Sequence, residues 1–195
     1  MKEFCVLIDN GHGEDTLGKC SPEQFSKRIF EWEYTRKLSK ALSKELDNNG
    51  IKNIVITPEN KDIPLSERVR RVNKYSNEYE CILISIHLNA SSRINTGTGF
   101  EVFTCESCSE KSKMLSRIFK DTFSKIVPTK KNRGSKTSNF YIIKKSKCPA
   151  ILTENMFMDN EKDIEFLTSS EGFEKIVKYH LESILLYIGE LSTEL

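Results

Sequence analysis

The chain has 195 residues, enough for one domain with a substantial core. Hydrophobic residues make up 37% and charged residues 30%, ordinary values for a soluble protein, and a formal net charge of +2 is too weak to argue for nucleic acid as the main partner. No apolar run is long enough to cross a membrane, which excludes membrane insertion as an expectation.

Phe4, Cys5, Val6, Leu7 and Ile8 form an unbroken apolar run that predicts a strand buried on both faces. It ends abruptly in Asp9-Asn10-Gly11-His12-Gly13, where the two glycines permit a sharp turn and close backbone approach. Open α/β sheets hold their ligands just outside the carboxyl ends of the strands, so His12 is presented where such folds place their chemistry. A loop histidine packed locally is the other reading. Nothing near the start resembles a signal peptide, because Met1-Lys2-Glu3 runs straight into the strand. The expectation is a chain made, and at first kept, in the cytoplasm.

A polar loop over 14–27 leads to a long helix over about 29–48, whose Tyr34, Leu38, Leu42 and Leu46 repeat every four residues as its buried stripe. Gly50 suits the left-handed position that stops it. A second strand is expected over 51–57, then a helix marked by Leu65, Val69 and Val72 with Arg68 on the same face. Residues 81–86 predict a third strand, ending in His87-Leu88-Asn89-Ala90. The strict alternation of Phe100-Glu101-Val102-Phe103-Thr104 predicts a strand with one face less buried, near a sheet edge. Met114, Leu115, Ile118, Phe119, Phe123 and Ile126 mark a third helix, and a basic loop follows over 130–136. Residues 140–143 and 150–153 are expected as two more strands. Asn160 caps a short helix with Asp163 at its third position. The last helix carries Phe173, Ile176, Val177, Leu181, Ile184, Leu185 and Ile188. With no internal repeat or linker, strands alternating with helices imply a single α/β domain over 1–195. Its mostly parallel, mixed sheet of about six strands should be flanked by helices on both faces, with no second domain.

Six cysteines are present, and free thiols in a reducing compartment are the expected state. Cys5 and Cys81 fall in core strands as small hydrophobes. Cys105 and Cys108 form a CxxC with no second half at zinc-ribbon spacing, leaving a small redox or metal role open.

Three polar residues stand where apolar strands end: His12, His87 and Glu154. The first long helix offers a fourth. At about 100° per residue, Glu31 falls within roughly 20° of Leu38 and Leu42, on the buried stripe, while Glu33 points to the opposite face and into water. A carboxylate on a buried stripe is costly unless paired, hydrogen-bonded or bound to metal. Two histidines and one carboxylate make a zinc set with a fourth position for water, and Glu154 would remain as a base beside it. Glu31 paired with Arg68 or a lysine, and Glu154 as a helix cap, are the structural alternatives.

These residues carry a family resemblance. Ile8-Asp9-Asn10-Gly11-His12-Gly13 resembles the "DPGHGG" opening of zinc-dependent N-acetylmuramoyl-L-alanine amidases of the type 3 catalytic domain. The helix from Glu31 to Leu38 is similar to that family's metal-binding helix, Ser85-Ile86-His87-Leu88-Asn89-Ala90 to its "SIHxNA", and the stretch from Pro149 to Phe157 to its "PAVLVExGF". Arg133-Gly134 and the expected strand at 140–143 also fall in the family's order. The chain departs from the pattern at Asn10, where the family has Pro, and at Glu14, where it has a second Gly; Thr153 and Asn155 are unusual polar flanks of Glu154. The resemblance implies one zinc ion held by His12, Glu31 and His87, with Glu154 as the catalytic carboxylate. It implies peptidoglycan as substrate, cut at the amide between N-acetylmuramic acid and L-alanine. A catalytically silent wall-binding module of the same fold and a zinc hydrolase of another amide are the alternatives. Without an export signal, a phage lysin let through the membrane by another protein is the expected setting, and a bacterial enzyme exported by an unusual route the alternative. The oligomeric state is left open.

Weaker signals complete the reading. His180, on the apolar stripe of the last helix, reads as a satisfied core histidine, with a metal role as the alternative. Asn89 is a candidate for orienting a metal ligand. Lys130, Lys131 and Arg133, and Lys144, Lys145 and Lys147, read as solvated surface or as groups that hold stem-peptide carboxylates.

Overall fold

Alternation along the first strand already demands two cores. The computed structural model describes residues 2–193. In chain order its elements are β1 (Phe4–Asn10), α1 (Glu31–Asn48), β2 (Asn53–Val55), α2 (Leu65–Glu78), β3 (Glu80–Asn89), β4 (Phe100–Thr104), α3 (Glu110–Ile126), β5 (Asn132–Thr137), α4 (Tyr141–Lys145), β6 (Ala150–Phe157), α5 (Glu161–Thr168) and α6 (Ser170–Thr193). On β1, Val6 and Ile8 face one way and Cys5 and Leu7 the other, and all four are inaccessible to solvent. Such a strand belongs inside a sheet with helices on both sides. The sheet order is β2-β1-β3-β6-β4-β5. β1, β2, β3 and β6 run parallel; β4 is antiparallel to β6, and β5 runs parallel to β4.

The larger core lies under α1, α3, α5 and α6, where Leu38, Leu42, Phe119, Ile164 and Ile184 pack on Val6, Ile8, Ile84 and Ile151. The smaller lies under α2 and α4, with Val69, Val72, Ile142 and Ile143 over Cys5, Leu7 and Leu83. Gly50 ends α1 at φ +68, its N–H on Asp47 O while Ile51 N–H reaches Leu46 O, the paired bonds of a left-handed helix stop. Asn160 caps α5 through the Asp163 N–H, as its sequence position implies. No helix among the described residues is long and apolar enough to cross a membrane.

Two expectations are corrected. Residues 140–143 form no strand: Tyr141, Ile142 and Ile143 open the short helix α4, and both isoleucines are buried against the α2 face. Adjacent residues on one strand point to opposite faces, so two neighbours burying into the same layer require helical geometry. The sixth strand is instead β5, which occupies the stretch expected to be a basic loop. Paired only with β4, it forms the sheet edge, where polar and lysine side chains are tolerated and discourage further pairing. On α6 the buried stripe runs through Ile176, Tyr179, His180, Ser183, Ile184 and Tyr187, while Leu185 is exposed.

Candidate active site

The carboxyl ends of β1 and β3 and the first turn of α1 meet at one point. Beyond β1, Gly11 N–H continues the ladder to Ile86 O at 2.9 Å, and His12 takes a left-handed backbone at φ +59. A β-carbon on Gly11 would lie 2.5 Å from His87 Nδ1 and 3.1 Å from Glu31 Oε1; one on Gly13 would lie 1.9 Å from the Asp62 backbone nitrogen. The turn therefore needs both glycines in order to close against the site.

Glu31, 0% exposed, is the first residue of α1 and points down the stripe of Leu38 and Leu42. Its Oε1 lies 3.1 Å from His87 Nδ1 and accepts the Leu88 N–H at 3.0 Å; its Oε2 lies 3.5 Å from His12 Nε2. The two imidazole rings stand perpendicular with centroids 5.3 Å apart. One donor atom from each of His12, Glu31 and His87 lies within 4.8 Å of the others. Burial pushes the Glu31 carboxyl up, but the hydrogen bond and charge of His87, the charge of His12 and the Leu88 N–H outweigh it, leaving the group below its ordinary value. Burial pulls His87 down, yet its hydrogen bond to Glu31 carries it above its ordinary value. Burial lowers His12 to about 4, so its ring is neutral, with a lone pair to offer. Glu31 Oε2 is a buried acceptor without a hydrogen bond, a state that coordination would relieve. The cluster can coordinate a metal ion, and its two nitrogens and one oxygen fit zinc's open, three-ligand sites. Glu33 is exposed on the opposite face of α1. Glu33→Ala should keep metal content and change stability by no more than about 0.5 kcal/mol, read by denaturant unfolding.

Glu154 lies on β6 directly across from His87 on β3 and from Glu101 on β4. Its Oε2 is buried without a hydrogen bond. Burial, with the charges of Glu31 and Glu101 and against those of His87 and Lys19, pushes its carboxyl up to about 8. Glu101, 3% exposed, accepts from Lys136 Nζ at 2.8 Å and from Arg133 Nε.

Behind the turn, Arg68 does not pair with Glu31. It donates to Asp9 Oδ1 and Asp62 Oδ1, both at 2.8 Å, to Ile63 O at 2.7 Å, and to the carbonyls of Asn10 and His12. Ser85 Oγ donates to the other Asp9 oxygen at 2.6 Å. A guanidinium on α2 thus fastens the end of β1 that carries His12. Arg68 is 2% exposed, and Arg68→Met would strand the Asp9 charge; a loss of about 3–5 kcal/mol is expected in chemical denaturation of the metal-free protein. Asn10, in place of proline, uses its amide to bond Thr57 O at 2.6 Å, which ties β1 to the residues after β2.

Asn155 stands out in the sequence only as a polar flank of Glu154, and Tyr179 not at all. Asn155 Nδ2 donates to His87 O at 3.1 Å, and Tyr179 OH donates to Asn155 Oδ1. The signal available was a polar residue in an otherwise apolar strand. His180 is a satisfied core histidine: Nδ1 donates to Ile176 O at 2.8 Å, while Nε2 meets Tyr179 OH at 3.1 Å and Thr153 Oγ1 at 3.3 Å. Burial holds it at about 4. Asn89 Oδ1 accepts the Ala90 N–H at 2.8 Å, and among the described residues its side chain makes no hydrogen bond to His12, Glu31 or His87. Its strand faces a bulge in β6, with Met156 at φ +74. Lys147 lines a cleft with Lys2, Tyr79 and Pro149 at the amino ends of the strands, far from the histidines. All six cysteines are free, and among the described residues the metal-capable cluster contains none of them.

Known proteins resemble this chain across the site. The chain is 28% identical over 179 residues to the N-acetylmuramoyl-L-alanine amidase CwlM of Bacillus licheniformis, a match that covers 92% of this chain and 66% of that protein. It superposes with a TM-score of 0.87 and 26% identity on the crystal structure of an N-acetylmuramoyl-L-alanine amidase from Clostridium difficile 630, over 97% of this chain and 98% of that one. The catalytic domain of the CD27L endolysin, which targets Clostridia difficile, is 29% identical with a TM-score of 0.71, over 95% of this chain and 97% of its own. Residues 6–185 match the family model described as N-acetylmuramoyl-L-alanine amidase, a span that takes in His12, Glu31, His87 and Glu154, and the chain belongs to that family.

Proposed function

We propose that the chain is a zinc-dependent hydrolase that cleaves the amide between N-acetylmuramic acid and L-alanine in peptidoglycan, with one ion held by His12, Glu31 and His87. The observation that carries this reading is the pair of buried carboxylate oxygens left without hydrogen bonds, Glu31 Oε2 beside both histidines and Glu154 Oε2 on the residue across from His87. Family membership supports the choice of bond. When bound, the ion supplies a Lewis acid for the scissile carbonyl and brings the pKa of a water towards about 7. Glu154 is the general base: it takes the proton of the attacking water and returns it to the leaving nitrogen of L-alanine. Burial favours this exchange, because it raises the carboxyl's affinity for the proton it must briefly hold. The turn at His12 and the Arg68 clamp keep the donors in place, so little reorganisation is needed.

The test is digestion of purified sacculi. New amino-terminal L-alanine should appear, vanish on chelation and return with added zinc. Sacculi of several wall types left intact by zinc-loaded protein would overturn the reading, and sedimentation with them without hydrolysis would point to a binding module. We also propose a lysin-like setting, supported by the likeness to an endolysin catalytic domain. Cells making the protein in their cytoplasm should stay intact until the membrane is permeabilised, and lysis without permeabilisation would count against that setting.

A further inference from the structure

The site has two unlike flanks. On the side of β1 and α2 opens a cavity of about 390 Å³, lined by His12 and His87 together with Ile63 and Leu65. That volume is in the range of small-ligand sites. Leu65 is the first residue of α2 and stands 52% exposed, a large apolar side chain facing solvent in the same cavity as two imidazoles. Asp9, Asp62 and Arg68 also line it. Arg68 spends its guanidinium on both carboxylates, so the charged part of the wall is two anions to one cation. Asp62 is partly open to solvent and can still accept hydrogen bonds.

The other flank lies beyond β3, where β6, β4 and β5 follow in the sheet. Glu154 stands across from His87 there, and Glu101 across from Glu154. Arg133 and Lys136 of β5 both donate to Glu101, two cations on one carboxylate, and the Arg133 guanidinium lies 5.1 Å from the centre of the Phe157 ring. Among the described residues, none from β6, β4 or β5 lines the cavity. The histidines therefore separate a cavity with an apolar wall and an excess of carboxylates from a strip of sheet with the catalytic glutamate and an excess of cations.

This asymmetry decides which half of a substrate lies on which side. Glu154 returns its proton to the leaving nitrogen, so that nitrogen and the peptide beyond it belong on the β6 side. The acyl half hangs from the opposite side of the scissile carbonyl and is directed over the histidines towards β1 and α2. Polarity agrees. The muramoyl half is uncharged and offers a ring face, methyl groups and hydroxyls, which suit Ile63, Leu65 and the acceptor oxygens of Asp62. A stem peptide carries carboxylates, which Asp9 and Asp62 oppose and Arg133 and Lys136 attract. We propose that the cavity is the subsite for the muramoyl half, with Ile63 and Leu65 as its specificity-determining wall, and that the stem peptide runs from Glu154 towards β5. This rests on the function proposed above.

The experiment uses zinc-loaded protein and two synthetic substrates, N-acetylmuramoyl-L-alanyl-D-isoglutamine and D-lactyl-L-alanyl-D-isoglutamine, which differ only in the sugar. The parent should prefer the first by about tenfold in kcat/KM, the order that partly burying one leucine supplies. Leu65→Asp should remove most of that preference. An acidic residue is tolerated in the first turn of a helix, so zinc content and melting temperature should stay as in the parent. A second readout needs no turnover. In zinc-loaded Glu154→Gln with the muramoyl ligand bound, the Ile63 and Leu65 methyl groups should show NMR cross-relaxation to the N-acetyl methyl of the sugar and none to the peptide. A parent that cleaves both substrates equally, a preference that survives Leu65→Asp, or methyl groups that meet the peptide or no part of the ligand would overturn the proposal and leave the function standing. A parent that cleaves neither substrate, nor sacculi, overturns the function and this proposal with it.

Discussion

Glu154→Gln is expected to lower kcat by about a hundred- to ten-thousandfold, the range that general acid–base groups contribute, while zinc content and fold stay as in the parent. An amide of the same shape fills the space between His87 and Glu101 but cannot take a proton from water. The fold should survive because burial already disfavours the charged form of this carboxyl and holds it near 8. In the metal-free protein the substitution therefore puts a neutral amide where burial already favours the protonated carboxyl. Metal analysis, a melting curve and turnover on one muropeptide check the prediction together. A variant that turns over at the parental rate would exclude Glu154 as the base. One that loses its zinc would make Glu154 a ligand.

Glu31→Ala is expected to have the largest effect on metal. It takes away the oxygen donor and leaves two histidines, so zinc affinity should fall by more than the roughly 10- to 100-fold typical of losing a partner that only supports a ligand. It also strips the buried Leu88 N–H of its acceptor and His87 Nδ1 of its neighbour. An unsatisfied buried donor costs about 1–3 kcal/mol, so the metal-free variant should also unfold at lower denaturant. Competition with a chromophoric chelator measures the first effect and equilibrium denaturation the second. Retained zinc in Glu31→Ala, with loss in Glu33→Ala, would place the wrong carboxylate of α1 in the site.

What could be read from the sequence was whatever rests on local pattern. The apolar run before His12, the four-residue repeat of α1, the Gly50 stop and the Asn160 cap are each written into a few neighbouring residues, and each was found as expected. The same helical arithmetic separated Glu31 from Glu33, because a 200° difference in direction is a property of the helix alone. His12 follows β1, and His87 and Glu154 lie within β3 and β6, but each is visible because a polar residue there interrupts a strong apolar signal. Edge strand β5 lacked such a signal: Asn132-Arg133-Gly134-Ser135-Lys136-Thr137 needs no apolar face, since its pairing is by backbone to β4 alone. The nearby Tyr141-Ile142-Ile143 has the composition of a strand and became a helical turn, because both isoleucines had to enter one layer. Partner choice was likewise decided only in three dimensions. Arg68 carries the same charge whether it meets Glu31 or Asp9, and it is the crossing of α2 over the end of β1 that gives it Asp9, Asp62 and the carbonyl of His12. Periodicity is a one-dimensional property and survives in the chain, whereas the pairing of charges depends on distances that exist only once the sheet has formed.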